Sequence, residues 1–74
     1  MATHKQISPV MENVREIIEE RGLLQKKVAK DAGYTVQMFS AMMNGRKQVT
    51  DSDISRLTFA LNVDANRLFK THAQ

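Results

Sequence analysis

The sequence has 74 residues, of which 11 are Lys or Arg and 8 are Asp or Glu, giving a formal net charge of +3 at pH 7. This length suffices for one small domain. The absence of cysteine excludes disulfides and cysteine-based zinc sites, and no apolar run approaches the roughly 20 residues of a membrane span. The polar N-terminus lacks the apolar stretch of a signal peptide, so a cytoplasmic location is expected.

The first predicted helix covers residues 9–21 and follows a flexible arm over residues 1–7. Ser8 is a typical N-cap, and Pro9 suits the first helical position because its missing N–H would be unpaired there in any case. Gly22 provides a left-handed stop. Apolar residues recur at helical spacing and predict one buried stripe, with the glutamates on the other side. The stripe consists of Val10, Met11, Val14, Ile17 and Ile18.

The second predicted helix covers residues 25–32 and ends at Gly33. Leu23 and Leu24 are expected to pack at its start. Leu24 occupies the N-cap position, where the lack of a polar side chain should cost about 1 kcal/mol of helix stability. The residues expected to face the core are Val28, Ala29 and Ala32.

The third predicted helix covers residues 36–43. Thr35 is a suitable N-cap, and Tyr34 before it pairs with Phe39 at the fourth position in the pattern of a hydrophobic staple. Asn44 and the glycine after it tolerate positive φ and end the helix. The apolar side chains expected to fill the core are Phe39 and Met42, flanked by Met38 and Met43.

Two further helices complete an all-α domain of five helices over residues 8–70. The fourth starts after Thr50, a capping residue followed by acidic side chains that favour the positive end of the helix dipole, and it ends at Asn62. The fifth covers residues 65–70 after Asp64 and is followed by a tail over 71–74. The predicted core residues are Ile54, Leu57, Thr58 and Leu61 in the fourth helix, and Leu68 and Phe69 in the fifth.

The positive charge is concentrated in residues 25–50, which hold five basic residues and one acidic residue, a net of +4. Residues 1–24 carry a net charge of −1, and the net charge of residues 51–74 is zero. A local cationic surface indicates an anionic partner, for which nucleic acid is the first candidate.

Two helices joined by a tight turn occupy this basic segment. Ala29 is small where the two helices must approach closely, and Gly33 permits the turn. In this region the sequence resembles the Cro/C1-type (XRE-type) helix-turn-helix family, which has the five-helix fold of the phage repressors and is lambda-repressor-like. The resemblance extends from about residue 10 to residue 69. Its matching elements are Arg21-Gly22-Leu23, Gln25, Ala29, Gly33, Thr35, Phe39, Met42, Asn44-Gly45, Ala60-Leu61, Val63 and Leu68-Phe69.

The resemblance implies which residues contact double-stranded DNA. The third helix would lie in the major groove, with the Gln37 amide suited to adenine, and Val36 and Ala41 suited to thymine methyls. By this resemblance, the base-reading residues would be Thr35, Val36, Gln37, Ser40 and Ala41. The phosphate-binding residues would be Gln25, Lys26, Asn44, Arg46 and Lys47.

The sequence departs from the family pattern at several positions. Leu24 replaces a capping Ser or Thr, and Val36 and Ala41 replace long polar residues, which argues against strong guanine recognition. Ile18 and Met43 stand where some members pair an Arg with a Glu, so an apolar contact is expected there instead.

Phe59 stands where the family usually has an exposed polar residue. It falls about 100–200° away from the buried stripe of its helix, which makes it a candidate for a homodimer interface. A single exposed apolar residue is also common without any role.

The sequence predicts a sequence-specific transcriptional regulator that acts as a homodimeric repressor on an operator. The alternatives are an antitoxin or a restriction-modification controller of the same fold, or a protein-interaction module without a DNA role. Control by concentration or by a protein partner is expected. No enzyme, metal or cofactor site is predicted, because the chain lacks a cysteine nucleophile, a Gly-rich phosphate loop and paired buried carboxylates, and its two histidines, His4 and His72, lie in opposite tails.

Overall fold

The computed structural model describes residues 8–69, and this part of the chain folds into five α-helices. The predictions for the arm, the tail, residue 70 and both histidines fall outside the described residues. The helices are α1 (Pro9–Arg21), α2 (Gln25–Asp31), α3 (Val36–Met43), α4 (Asp51–Leu61) and α5 (Ala65–Phe69).

The helix boundaries follow local capping signals. The Ser8 side chain accepts a hydrogen bond from the Met11 backbone N–H at 3.1 Å, and Pro9 occupies the first turn of α1. Gly22 at φ +66° ends that helix in the left-handed conformation, and Asn62 ends α4 in the same way at φ +55°. These boundaries confirm the predictions. Helix α2 ends one residue earlier than predicted, because Ala32 is its C-cap rather than its last helical residue.

One hydrophobic core holds the five helices together. Helix α1 packs against α3, α4 and α5, while α2 packs against α3 and α4. Their apolar stripes meet between them, as the helical spacing of the sequence predicts. The buried apolar residues are Val10, Met11, Val14, Ile17, Ile18, Val28, Ala29, Ala32, Tyr34, Phe39, Met42, Met43, Leu57, Leu61 and Leu68.

Two apolar residues predicted to fill the core, Met38 and Phe69, are exposed, and so is Leu24, which was expected to pack at the start of α2. Leu24 is 63% exposed, Met38 is 40% exposed and Phe69 is 54% exposed. Met38 lies at the edge of the buried side of α3, and Phe69 is the last residue of a helix of only five residues. Leu24 stands at the N-cap, ahead of the helical residues of α2, among which Val28 and Ala29 are buried.

Polar side chains of α1 reach the C-terminal ends of three other helices. Asn13 is fully buried and donates to the Leu68 carbonyl at 2.7 Å. Arg21 donates to the Leu61 carbonyl at 2.6 Å, and Arg15 donates to the Met43 carbonyl at 3.2 Å. The last carbonyls of a helix have no partner within the helix, so these contacts satisfy groups that the helices themselves leave unpaired.

Candidate nucleic-acid interface

Helices α2 and α3 form the predicted helix-turn-helix. The turn between them is closed by two backbone hydrogen bonds, from Gly33 to the Lys30 carbonyl at 3.0 Å and from Tyr34 to the Ala29 carbonyl at 2.8 Å. Gly33 has φ +85°, a conformation that residues with a side chain rarely adopt. The Ala29 side chain is buried beside the turn, as its small size predicts.

The N-terminus of α3 is fixed by its cap and by an aromatic staple. The Thr35 hydroxyl accepts a hydrogen bond from the Met38 backbone N–H at 3.0 Å. The rings of Tyr34 and Phe39 stack with their centroids 6.1 Å apart and an angle of 21° between their planes. Both features confirm the prediction, and they fix the direction in which α3 leaves the turn.

The predicted base-reading residues lie on the side of α3 that faces away from the core. Phe39, Met42 and Met43 point inward and are at most 2% exposed. The four helical members of the predicted set fall within an arc of about 140° at 100° per residue. Thr35, Val36 and Gln37 are exposed, whereas Ser40 and Ala41 are half-buried.

The predicted phosphate-binding residues lie at the start of α2 and after the end of α3. Gln25 and Lys26 are the first two residues of α2 and are both exposed. Asn44 caps the C-terminus of α3, and its Nδ2 donates to the Ser40 hydroxyl at 3.3 Å. Lys26 lines the same groove as Val36 at the start of α3, so polar and cationic groups lie near both ends of that helix.

The basic loop after α3 is tied to that helix through its backbone. The backbone N–H groups of Arg46 and Lys47 both donate to the Ala41 carbonyl, at 2.8 and 3.3 Å. The Arg46 side chain is exposed and the Lys47 side chain is half-buried. These bonds hold the backbone of the loop against the last turn of α3, so both cationic side chains start beside the end of that helix.

A buried polar cluster, which the sequence reasoning missed, connects the start of α3 to the start of α4. The Tyr34 hydroxyl donates to Asp53 Oδ1 at 2.5 Å. The other carboxylate oxygen, Oδ2, accepts from the Thr50 backbone N–H at 2.9 Å and from the Thr50 hydroxyl at 3.0 Å. The Arg56 guanidinium lies over the Tyr34 ring, 5.4 Å from its centroid, an arrangement typical of a cation–π contact.

Protonation within this cluster is set by burial and hydrogen bonding. Burial raises the pKa of Tyr34, and its hydrogen bond to Asp53 raises that pKa further. Burial also opposes ionisation of Asp53, but hydrogen bonds from Tyr34 and Thr50 outweigh it and hold the pKa of that carboxyl below its usual value of 3.8. Asp53 is thus a buried carboxylate at neutral pH, stabilised by donated hydrogen bonds.

Part of this cluster has a signal in the sequence. Thr50 and Asp53 have the three-residue spacing of a capping box, in which each side chain bonds the other's backbone N–H. The bond from Tyr34 crosses 19 positions along the chain and has no local signal. The Arg15 bond to the Met43 carbonyl, which crosses 28 positions, was missed for the same reason. Ile18 and Met43 are both buried in the core, as expected for an apolar pair.

Phe59 lies outside the helix-turn-helix, near the C-terminal end of α4. Its side chain is 84% exposed, which confirms that it points away from the core.

None of the helices in residues 8–69 combines the length and apolar character needed to cross a membrane. Within the same residues, no cluster of three or more His, Cys, Asp or Glu side chains is arranged to hold a metal ion.

Several proteins of known structure share this fold, and they are described as regulators. The restriction-modification controller protein C.AhdI from Aeromonas hydrophila is 24% identical, with a TM-score of 0.76, over 85% of this chain and 96% of that one. The hypothetical transcription factor NHTF from Neisseria is 22% identical, with a TM-score of 0.79, over 97% and 84%. The clp gene regulator ClgR from C. glutamicum is 16% identical, with a TM-score of 0.76, over 82% and 79%.

A comparison with curated proteins finds no match. The family model of the Cro/C1-type HTH DNA-binding domain matches residues 13–73, which include all of the helix-turn-helix and most of α1. Helices α2 and α3 are joined by a turn at Gly33, and Thr35 caps α3. Together with the family match, this shows that the chain belongs to the Cro/C1-type helix-turn-helix DNA-binding family.

Proposed function

We propose that this protein is a sequence-specific transcriptional repressor that binds double-stranded DNA as a homodimer, through a DNA-binding domain over residues 8–70. The observation that carries the proposal is the outward-facing, uncharged side of α3, with polar and cationic side chains near both ends of the helix. Phosphate contacts position a protein on the duplex, while contacts to base edges select the sequence. A cationic and polar surface beside an uncharged helix face supports this division of roles.

The reading face suits a site rich in adenine and thymine. Gln37 supplies a donor and an acceptor that match the major-groove edge of adenine, and the Val36 and Ala41 side chains match thymine methyl groups. With Arg and Lys absent from the reading face, strong bidentate contacts to guanine are not expected. One half-site therefore supplies modest affinity.

A homodimer compensates for this modest affinity. Two recognition helices related by a two-fold axis read half-sites about 34 Å apart, one turn of the duplex. Phe59 on α4 supports the proposal. Its aromatic side chain is 84% exposed, and association with a second copy that covers it would remove this apolar surface from water. Repression follows without a further domain, since a dimer that covers its operator excludes other proteins from the same DNA.

A restriction-modification controller is the second candidate. It is favoured by the likeness to C.AhdI, which this chain matches over 96% of the length of that protein. The two candidates share the interface with DNA and differ in the genes that are regulated. Neither requires the chain to have an enzymatic activity.

The test is selection of binding sites from random duplex DNA, followed by sequencing. The expected result is an AT-rich half-site repeated with two-fold symmetry, its centres about 10–11 base pairs apart. Binding to the selected site should weaken steeply as salt rises, because each neutralised phosphate releases counterions. Failure to enrich any sequence, together with a lack of salt dependence, would refute the proposal in favour of a protein-interaction module.

A further inference from the structure

A surface groove of about 490 Å³ lies between α2 and the start of α3. Its apolar lining comes from Leu24, Tyr34 and Val36. Tyr34 is buried and belongs to the core, whereas Leu24 and Val36 are 63% and 56% exposed and lie outside the core cluster. In the folded domain, the apolar walls formed by Leu24 and Val36 therefore remain exposed to water. The space between them is large enough for a bulky apolar side chain.

Leu24 contributes little to the stability of the domain. It occupies the N-cap of α2, where a hydroxyl or carboxylate would bond the backbone N–H groups and a leucine side chain cannot. It is also too exposed to contribute much to core packing. An apolar side chain that serves neither capping nor packing is available for contact with another molecule.

The rim of the groove is cationic. Lys26, Lys27 and Lys30 line it, with Asp31 as the one carboxylate among the lining residues. Lys27 is paired with Asp31 at 3.2 Å. Within residues 8–69, Lys26 and Lys30 take part in no salt bridge, so their charges are available to an anionic ligand.

We propose that this groove binds an acidic segment of a partner protein. A large apolar side chain of the segment occupies the space between Leu24 and Val36, and flanking carboxylates pair with Lys26 and Lys30. Charge complementarity selects an anionic occupant. An acidic segment fits better than DNA because Leu24, which is 63% exposed and belongs to neither predicted set of DNA contacts, is the apolar wall that DNA would leave without a partner.

The consequence of this binding rests on the proposed DNA-binding function. Lys26 belongs to the predicted phosphate-binding set, and Val36 belongs to the predicted base-reading set. A segment that covers both residues and an operator that contacts both cannot be bound together. Binding of the partner therefore releases the protein from DNA. The groove is the site through which the partner controls DNA binding.

The test starts with random 12-residue peptides displayed on phage and selected against the full chain. Enriched peptides should combine Asp or Glu with a central Leu, Ile or Phe, and the strongest is then synthesised with a fluorophore for titration. Leu24→Ser should weaken its binding at least tenfold without lowering Tm, because serine caps α2. Lys26→Glu combined with Lys30→Glu should weaken binding by a similar factor.

Leu23→Ser is the matched control, because this neighbouring leucine does not line the groove. It should leave peptide binding unchanged. The proposal is overturned when the selection returns no acidic peptides, when Leu24→Ser binds the peptide as tightly as the wild type, or when peptide and duplex bind at the same time.

Binding to duplex DNA is titrated separately, so that the two proposals fail independently. A chain that binds duplex but no acidic peptide retains the proposed function and loses the groove proposal. A chain that binds the peptide through Leu24 but does not bind duplex keeps the docking site and loses the proposed function. Displacement of the peptide by duplex supports both.

Discussion

Removal of the Tyr34 hydroxyl tests whether the polar cluster beneath the turn stabilises the fold through the Asp53 carboxylate. Tyr34→Phe keeps the aromatic staple with Phe39 and removes only the donor that lies 2.5 Å from Asp53 Oδ1. Asp53 is only 7% exposed, so water cannot readily replace the lost donor. A hydrogen bond to a charged group contributes about 1.5–3 kcal/mol, and a loss near 2 kcal/mol lowers Tm by about 8–16 °C in a domain of this size.

The loss of stability should depend on pH, with a definite sign. The pKa of Asp53 is lower in the folded protein than its ordinary value of 3.8. The resulting stability is fully present above the pKa of the unfolded chain and is lost as the pH falls through the folded pKa. Tyr34→Phe removes one of the groups that lower this pKa, so the variant should lose less stability on acidification than the wild type.

The assay is thermal unfolding followed by circular dichroism at pH 7 and at about pH 2.5. The difference between wild type and Tyr34→Phe should be largest at pH 7 and should shrink at low pH towards the roughly 1 kcal/mol of a neutral hydrogen bond. Asp51→Asn is the control, since Asp51 is an exposed carboxylate in the first turn of α4 and contributes only about 0.3–1 kcal/mol through the helix dipole. An equal effect of Tyr34→Phe at both pH values would refute the reasoning.

Four other substitutions test the interface and the fold. Gln37→Ala should cost about 1–3 kcal/mol on the selected site and relax its base preference; an equal loss on random duplex would contradict base reading. Arg46→Ala should weaken binding to all duplexes and reduce the salt slope by about one unit, whereas Arg46→Lys should keep the slope. Phe59→Asp should shift sedimentation towards the monomer, with Ser52→Asp as the charge control at the other end of α4; an unchanged dimer fraction would exclude Phe59 from the interface. Leu24→Ser should stabilise the domain by about 0.5–1 kcal/mol through capping, and a lower Tm would contradict this.

The helices could be predicted because their signals are local. Ser8 with Pro9, Thr35 and Thr50 each mark a helix start within four residues of sequence, and Gly22 marks a stop by its backbone freedom alone. Apolar spacing then identified the buried side of each helix. The family resemblance added the predicted reading face, whose residues lie on the side of α3 that faces away from the core; its contacts with DNA stay a prediction.

The remaining features could not be predicted because they depend on packing between distant elements. The bond from Tyr34 to Asp53 requires the positions of both α3 and α4, and periodicity gives the position of neither. Met38 and Phe69 are apolar at positions close to the buried side, and only the actual packing angles leave them exposed. The groove beside Leu24 depends in the same way on how α2 meets α3.

The side chains of α1 that bond to carbonyls at the ends of other helices have a consequence for synthesis on the ribosome. The partners of Arg21 and Asn13 are Leu61 and Leu68, which follow them by 40 and 55 positions. Helix α1 leaves the ribosome first, but its polar side chains find these acceptors only after α4 and α5 have emerged. Helices this short are marginal in isolation, so the reading surface acquires its final geometry only after α5 has emerged.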